Sequence, residues 1–326
     1  MTNQRQITHC WAVSDGRAGM ESQSLGLAEA LCDRPEVKRL SLRAPWRWLP
    51  PQLWPRPLAA LSPQGDDLSP PWPQVLIATG RRVIAPALAV RRAAQGRCFV
   101  VLMQHPRLNP ARADLVIAPA HDGLSGPNVV TTLGSVNRLT QDKLDAAATA
   151  FLPRMATLPR PWTTVLIGGA SKAYAMPADR MATLAQELAQ AVRASGGSAL
   201  ITASRRTGPA NKAILRDALK DLPGIFWDGQ GDNPYFAFLA LADALVVTCD
   251  SVNMLCEAAF TGKPVHLVDL PGGSEKFRRF HASLADRGVT RPFKGELQQW
   301  RYPPLDETAR VAREVEARLR QVGPVG

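Results

Sequence analysis

The sequence predicts an α/β protein of two Rossmann-like domains whose parallel sheets face a cleft. Three observations predict it. Short apolar runs alternate with helix-period segments along the whole chain, the pattern of parallel strands joined by crossover helices. Most of these runs end in a polar or glycine-bearing turn that opens the next helix, and a parallel sheet gathers such turns at the carboxyl edge of its strands. The alternation lapses in the proline-rich segment PRMATLPRP at 153–161, and 326 residues are long for a single core. The expected division is a front domain over 1–155, a rear domain over 156–304 and a terminal helix over 305–326 that packs back on the front domain.

In the front half, residues 9–14 are a short apolar run leading into Asp15-Gly16-Arg17-Ala18-Gly19, followed by a helix with Leu25, Leu27, Ala28 and Leu31 on one side. Gly16 and Gly19 let the backbone turn sharply or approach an anion, but the spacing is not GxGxxG and gives no dinucleotide fingerprint. Residues 37–42 read as a second strand and 74–79 as a third, followed by Gly80-Arg81-Arg82 and a helix through Arg92. A fourth strand at 98–103 ends in Gln104-His105-Pro106-Arg107. Residues 115–118 and 129–132 supply two more strands, and 137–151 reads as a helix closing the domain.

Between the second and third strands lies LRAPWRWLPPQLWPRPLAAL, residues 42–61, with three tryptophans, three arginines and five prolines. Proline at this density excludes a long regular helix. Trp46, Trp48 and Trp54 beside Arg43, Arg47 and Arg56 are what an edge resting on an anionic membrane surface would carry, since indole rings favour the headgroup layer. The competing reading is a loop whose tryptophans pack back on the domain.

The rear half restarts with a strand at 163–167, the turn Gly168-Gly169-Ala170-Ser171-Lys172 and a helix over 178–194. A strand at 199–202 leads into the loop ASRRTGP at 203–209 and a helix over 211–219. A short strand at 225–227 leads into DGQGDNP, which opens a helix over 235–241. Residues 244–247 enter the turn Thr248-Cys249-Asp250-Ser251, then a helix with Met254, Leu255, Ala258 and Ala259 that Gly262 stops, and then an apolar run at 265–268. That is one βαβ crossover, with Asp250 or Ser251 placed to cap its helix. A basic helix over 277–287 and an amphipathic one over 305–319 complete the chain.

Composition bounds the partners. The 45% hydrophobic and 21% charged fractions suit a soluble globular protein. No apolar run approaches the ~18 residues of a membrane span, and the N-terminus lacks the apolar stretch of a secretion signal. The expectation is a cytoplasmic chain, or one held peripherally on the cytosolic face of a membrane. The five cysteines show no CxxC spacing and the five histidines are scattered, so free thiols and no metal site are expected. Basic residues exceed acidic ones by 39 to 28, for a net charge of +11, concentrated in the front half. That invites an anionic partner without identifying it. The absence of an RNP pattern, zinc finger or basic helical run speaks against nucleic acid.

Four turns of the rear half, GGASK, SRRTG, DGQGDNP and CDSVN, fall along one edge if the strands are parallel. Gly168 and Gly169 permit close approach, Lys172 adds a point charge, Ser204 a hydroxyl, and Arg205 or Arg206 a fork suited to a diphosphate. Asp250, Ser251 and Asn253 line the start of a helix whose free N–H groups seat anions. Asn233 and Glu257 suit base or ribose recognition. The ligand this predicts is a nucleotide diphosphate, with no cofactor. In the front half, Asp15 or His105 at strand ends would serve as general base on an acceptor hydroxyl. The bland alternatives are ordinary helix caps, solvated arginines and a turn histidine before Pro106.

The runs WAVSDGRAGMESQSLGLAEAL, GGASKAY, TASRRTG and VTCDSVNMLCEAAFTGKPV resemble the mitochondrial-fission Elm-type family, in matching order over most of the chain. The rear half is similar, more distantly, to the donor domain of GT-B glycosyltransferases, including the N-acetylglucosaminyl transferase of peptidoglycan synthesis. That likeness implies a GT-B-like fold in which Gly168, Gly169, Asp250, Ser251 and Glu257 would hold a UDP-sugar. The DGRAG turn lacks the histidine of the peptidoglycan enzyme, whose base is therefore not carried over. The resemblance leaves two functions: metal-independent glycosyl transfer to a cell-envelope or lipid-linked acceptor, or a non-catalytic adaptor that recruits a protein partner.

Overall fold

The computed structural model describes residues 7–50 and 53–322. The chain divides into two compact units, one running to Arg138 and resuming at Asp306, the other Leu139–Leu305.

The first unit is a six-stranded parallel sheet in the order β2-β1-β3-β4-β5-β6. Its strands are β1 (Cys10–Ser14), β2 (Glu36–Arg39), β3 (Val75–Thr79), β4 (Phe99–Met103), β5 (Leu115–Pro119) and β6 (Val129–Thr132). The β1, β3 and β4 strands are buried along their whole length, as expected where helices cover both faces of a sheet. Alternate residues point to opposite faces. Ala12, Ile77 and Val101 pack with Leu27, Ala28 and Leu31 of α1 (Ala18–Leu31) and with Val311, Ala312 and Val315 of α9 (Glu307–Val322). Trp11, Val13, Leu76 and Val100 pack on the other side with Leu88 and Val90 of α2 (Ile84–Ala93). The terminal helix is tied down by polar contacts as well. Glu307 Oε2 accepts from the Leu133 amide at 3.1 Å, and the Thr308 hydroxyl both accepts from and donates to the Asn137 backbone. From β1 the chain steps outward to β2, then returns to β3 and proceeds the other way, so the strand order reverses between β1 and β3.

The tryptophan-rich insert leaves and rejoins this unit through a bridge between Leu42 and Leu61. Trp54 is buried, its indole N–H donating to the Leu49 carbonyl at 3.3 Å, and the Trp46 ring meets it edge to face at 6.3 Å. Both pack against Ala60 and Ala85. Of the three indoles expected at a membrane face, Trp46 and Trp54 are therefore corrected to packing residues, because a hydrophobic seat within the unit takes them. Trp48 remains 66% exposed.

The second unit is also a six-stranded parallel sheet, in the order β12-β11-β10-β7-β8-β9. Its strands are β7 (Trp162–Ile167), β8 (Ser198–Ala203), β9 (Gly224–Trp227), β10 (Ala244–Thr248), β11 (Val265–Val268) and β12 (Thr290–Pro292), with the order reversing between β7 and β10. Helices α4 (Ala178–Ser195) and α5 (Pro209–Leu219) bury Leu184, Leu188, Leu215 and Leu219 against Val165 and Ile201. The crossover expected at 244–268 is β10, α7 (Val252–Phe260) and β11, and the basic helix is α8 (Glu275–Asp286).

Two expectations change. The helix read as closing the front domain is α3 (Gln141–Met155), and it belongs to the second unit. It packs on α6 (Tyr235–Leu241), where Met155 joins Trp162, Leu200 and Phe238. The division accordingly falls between Arg138 and Leu139, not in the proline-rich segment, since α3 accommodates Pro153 in its last turn. Strand β12 was not expected, because three residues are too short to show a period.

Candidate functional site

The reversal between β7 and β10 brings three turns of the second unit together. Gly168 and Gly169 follow β7, Ser204 to Thr207 follow β8, and Thr248 to Ser251 follow β10. Asp250 stands at the centre, its side chain wholly buried. One carboxylate oxygen accepts from the Thr248 hydroxyl at 2.7 Å. The other accepts from the Gly169 amide at 2.9 Å and from Arg206 Nη2 at 2.8 Å. Arg206 also donates to the Gly169 carbonyl at 2.8 Å, and the Ser204 and Thr207 hydroxyls both donate to the Gly168 carbonyl. The glycines are needed for this closure. A Cβ on Gly168 would lie 2.3 Å from the Asp250 carboxylate, and one on Gly169 would lie 2.2 Å from the Arg206 carbonyl oxygen. The close approach read from sequence as room for a ligand is thus filled by the chain's own groups.

A second cluster lies further along α7. Ser251 caps that helix, its hydroxyl accepting from the Met254 amide at 3.4 Å, and Asn253 sits in the first turn. About two turns in, half-buried Glu257 accepts a 2.6 Å hydrogen bond from the Tyr235 hydroxyl. Burial pushes the Glu257 carboxyl up to about 7, against the opposing pull of that hydrogen bond. The Tyr235 phenol is held well above its ordinary value, first by its own burial and then by Glu257. Exposed Asn233 accepts from the Tyr235 amide at 3.0 Å and so fixes the start of α6.

Gly168, Gly169, Ser204, Arg206 and Asp250 therefore form one hydrogen-bonded knot, while Asn233 and Glu257 meet through Tyr235. Lys172 and Arg205 are exposed on their turns. Sequence reasoning passed over Tyr235, Thr207 and Thr248. The signal for the threonines was a hydroxyl directly beside a glycine or acid turn at a strand end, and for Tyr235 its place at the opening of α6.

The first unit's reversal, between β1 and β3, is built differently. Asp15 follows β1 with its side chain 6% exposed; one carboxylate oxygen lies 3.4 Å from Arg17 Nε, and Oδ1 has no hydrogen-bond partner among the described residues. The hydroxyl of fully buried Thr79, at the end of β3, is likewise unpartnered among them. Gly16 (φ +76°) and Gly80 (φ +107°) hold conformations that favour glycine, and an added Cβ would meet nothing within 4 Å at Gly16 and nothing nearer than 3.8 Å at Gly80. Gly19 lies in the first turn of α1. Gln104, at φ +70°, follows β4 and donates to Gln23 at 3.1 Å. His105 is exposed, and its Nδ1 accepts from the Arg107 amide at 3.0 Å, an arrangement that closes a turn. Among the described residues no group of three metal-ligating side chains occurs.

Comparison with known proteins adds to this geometry. The family model described as Mitochondrial fission ELM1 matches residues 18–319. The Mitochondrial fission protein ELM1 of Arabidopsis thaliana is 36% identical over 277 residues, covering 76% of this chain and 65% of the plant protein, so the match spans just under two thirds of that relative. Among solved structures, the UDP-GlcNAc 2-epimerase of Methanocaldococcus jannaschii superposes with a TM-score of 0.56 at 12% identity, covering 95% of this chain and 100% of that one. MurG of Acinetobacter baumannii superposes at 0.51 and 15% identity, covering 97% and 93%. At such identities the likeness is one of fold, and the fold is the GT-B-like class of two Rossmann-like halves.

Proposed function

The chain belongs to the mitochondrial fission ELM1 family, and from that membership and its GT-B-like fold we propose that it binds a nucleotide-diphosphate sugar in its second unit and transfers the sugar to a cell-envelope or lipid-linked acceptor. The observation that carries the reading is Glu257: an acid on the helix that follows the strand-order reversal, kept from full ionisation at neutral pH and held by Tyr235. Such a carboxyl is suited to a pair of ribose hydroxyls. The fold is shared with a UDP-GlcNAc 2-epimerase, which supports a nucleotide-sugar ligand.

In this reading Asn253 and the first N–H groups of α7, with Arg205 and Lys172, meet the diphosphate. In the transfer step a general base takes the proton of the acceptor hydroxyl, the hydroxyl oxygen bonds to the anomeric carbon, and the bond from that carbon to the diphosphate oxygen breaks. The nucleotide diphosphate leaves with its electron pair, its charge balanced by Arg205. A lipid-linked acceptor puts the protein on the cytosolic face of a membrane.

Calorimetric titration with UDP-GlcNAc and with other UDP and GDP sugars tests the reading. Wild type is expected to bind one of them, Glu257→Ala to lose at least about tenfold in affinity, and Asp15→Asn to bind normally but not turn over. Absence of binding by the folded protein would sink it.

A second reading is favoured by one observation. The Asp250 carboxylate occupies the Gly169 amide and one face of Arg206, donors that a diphosphate would otherwise use. A protein that kept the architecture as an adaptor for a protein partner needs none of them free. It predicts that Glu257→Ala and Asp15→Asn leave cellular function intact.

A further inference from the structure

Among the described residues four large apolar side chains are exposed, and three of them, Trp48 (66%), Leu49 (38%) and Leu53 (64%), fall within one short stretch of the 42–61 insert. The fourth, Leu152, lies in the second unit. A soluble protein tolerates single exposed apolar residues, but clustering of this kind marks a contact surface. Along the sequence the charge of the insert is of one sign, and the acidic residues that come near it, Asp66 and Asp67, line a pocket with Arg43 and not with Arg47 or Arg56. From residue 37 to residue 65 the sequence contains Lys38, Arg39, Arg43, Arg47 and Arg56 and no acidic residue. Arg43, Arg47 and Arg56 are exposed, and the Arg47 guanidinium lies 4.2 Å from the centre of the Trp48 ring.

We propose that this loop is an anchor for an anionic lipid surface, with Trp48, Leu49 and Leu53 entering the headgroup layer and Arg43, Arg47 and Arg56 meeting the lipid phosphates. It takes from the preceding section only the placement at a membrane, and it does not depend on a nucleotide sugar. An indole favours the boundary between water and acyl chains, and a guanidinium stacked on it reaches the phosphate level without leaving the ring. The arginines add attraction that grows with the anionic lipid content. Trp46 and Trp54 give the loop its base: packed on Ala60 and Ala85, they hold the segment in place, and the prolines limit the freedom it would lose on contact. A protein partner is the other occupant such a patch could take, and it is an outcome the test separates, since it gives no sedimentation with lipid alone. Among the described residues no helix is long and apolar enough to cross a membrane, and none is needed for contact of this kind.

The test is co-sedimentation with vesicles of phosphatidylcholine alone and of phosphatidylcholine with phosphatidylglycerol, with no nucleotide sugar present. Wild type is expected to sediment with the anionic vesicles and to be released by salt. The double variant Trp48→Ala/Leu53→Ala is expected to lose about tenfold or more in binding, and Arg47→Glu or Arg56→Glu at least about fivefold each. Leu152→Ala is expected to bind as wild type does. Because these side chains are exposed, the variants fold normally, and thermal unfolding checks this. Failure of the wild type to bind anionic vesicles, or undiminished binding by the double variant, overturns the proposal. Binding to anionic vesicles by a folded protein that shows no affinity for any of the sugars would leave the anchor standing and remove the transferase reading instead.

Discussion

At the strand-order reversal of the second unit, a methyl added to Gly168 or Gly169 would run into Asp250 or the Arg206 backbone at 2.3 Å or less; at that of the first unit, a methyl on Gly16 or Gly80 would meet nothing nearer than 3.8 Å. The two turns look alike in sequence, glycines after a buried strand. In one they let neighbouring loops close on each other, and the Asp250 carboxylate and the Thr248, Ser204 and Thr207 hydroxyls all find partners within the chain. In the other they leave space beside a buried carboxylate oxygen and a buried hydroxyl that have no partner among the described residues. Since a buried polar group left unpaired costs free energy, a satisfied reversal contributes stability and an unsatisfied one gives some up. The lesson is that a glycine turn at a sheet edge is not in itself evidence for a ligand; what matters is whose atoms occupy the space it makes.

Asp250 offers the largest test of that contrast. Asp250→Ala removes the acceptor for the Gly169 amide, the Thr248 hydroxyl and Arg206 at once, and is expected to cost about 3 kcal/mol, because Arg206 stays partly solvated. Thr248→Val, which removes a hydroxyl that accepts from the Gly168 amide and donates to Asp250, is expected to cost about 2 kcal/mol. Urea unfolding measures both. Losses within experimental error of zero would mean that the knot is not what holds the second reversal closed.

Glu257 is the place where the second unit does not settle its own charge, and pH exposes it. Its folded-state carboxyl is raised from the ordinary 4.5 to about 7 by burial. The sign follows: the unfolded chain ionises first, so the stability Glu257 contributes is full below about pH 4.5 and has been lost once pH passes about 7. Glu257→Gln keeps an acceptor for Tyr235 without the charge. It should therefore match wild type in acid and exceed it by on the order of 2 kcal/mol above neutrality, by unfolding across the pH range. A ligand that donates hydroxyl protons to the carboxylate prefers its ionised form, so affinity for a nucleotide sugar should fall as pH drops below about 7. A pH-independent difference between the two proteins would place Glu257 in an ordinary solvated setting.

How much of this the chain disclosed beforehand depends on whether a feature is local. The β1, β3, β4, β7, β8 and β10 strands were legible because strands covered on both faces are largely apolar runs, and a cap at Asp250 or Ser251, which the structure gives to Ser251, because capping is decided within four residues. The Asp250–Arg206 pair was not legible. Those residues are 44 apart, and they meet only because β7 lies between β8 and β10, which no spacing records. The allegiance of α3 was hidden for a related reason: an amphipathic helix shows that it has an apolar face but not which sheet receives it. Among the tryptophans, composition could not tell Trp48 from Trp54, since whether an indole is exposed depends on the hydrophobic seat formed by Ala60 and the more distant Ala85.

The smallest expected effect gives the sharpest form of the comparison, because it sets two threonines in the same role. Thr79 ends β3 and Thr248 ends β10, each fully buried beside the reversal of its sheet. Valine matches threonine in shape and removes only the hydroxyl. At position 248 that hydroxyl is doubly bonded, and its loss leaves an amide and a carboxylate short of a partner. At position 79 it has no partner among the described residues, so its removal relieves a desolvation cost and Thr79→Val should stabilise the protein by about 1 kcal/mol. The sign carries the argument. A gain at 79 against a loss at 248, measured in parallel by urea unfolding, identifies the first reversal as holding polar groups that await a partner from outside the chain, since natural proteins give up stability of this order at sites kept for binding. Equal losses at both positions would show that the Thr79 hydroxyl is already satisfied, by an ordered water for instance, and the distinction between the two reversals would disappear.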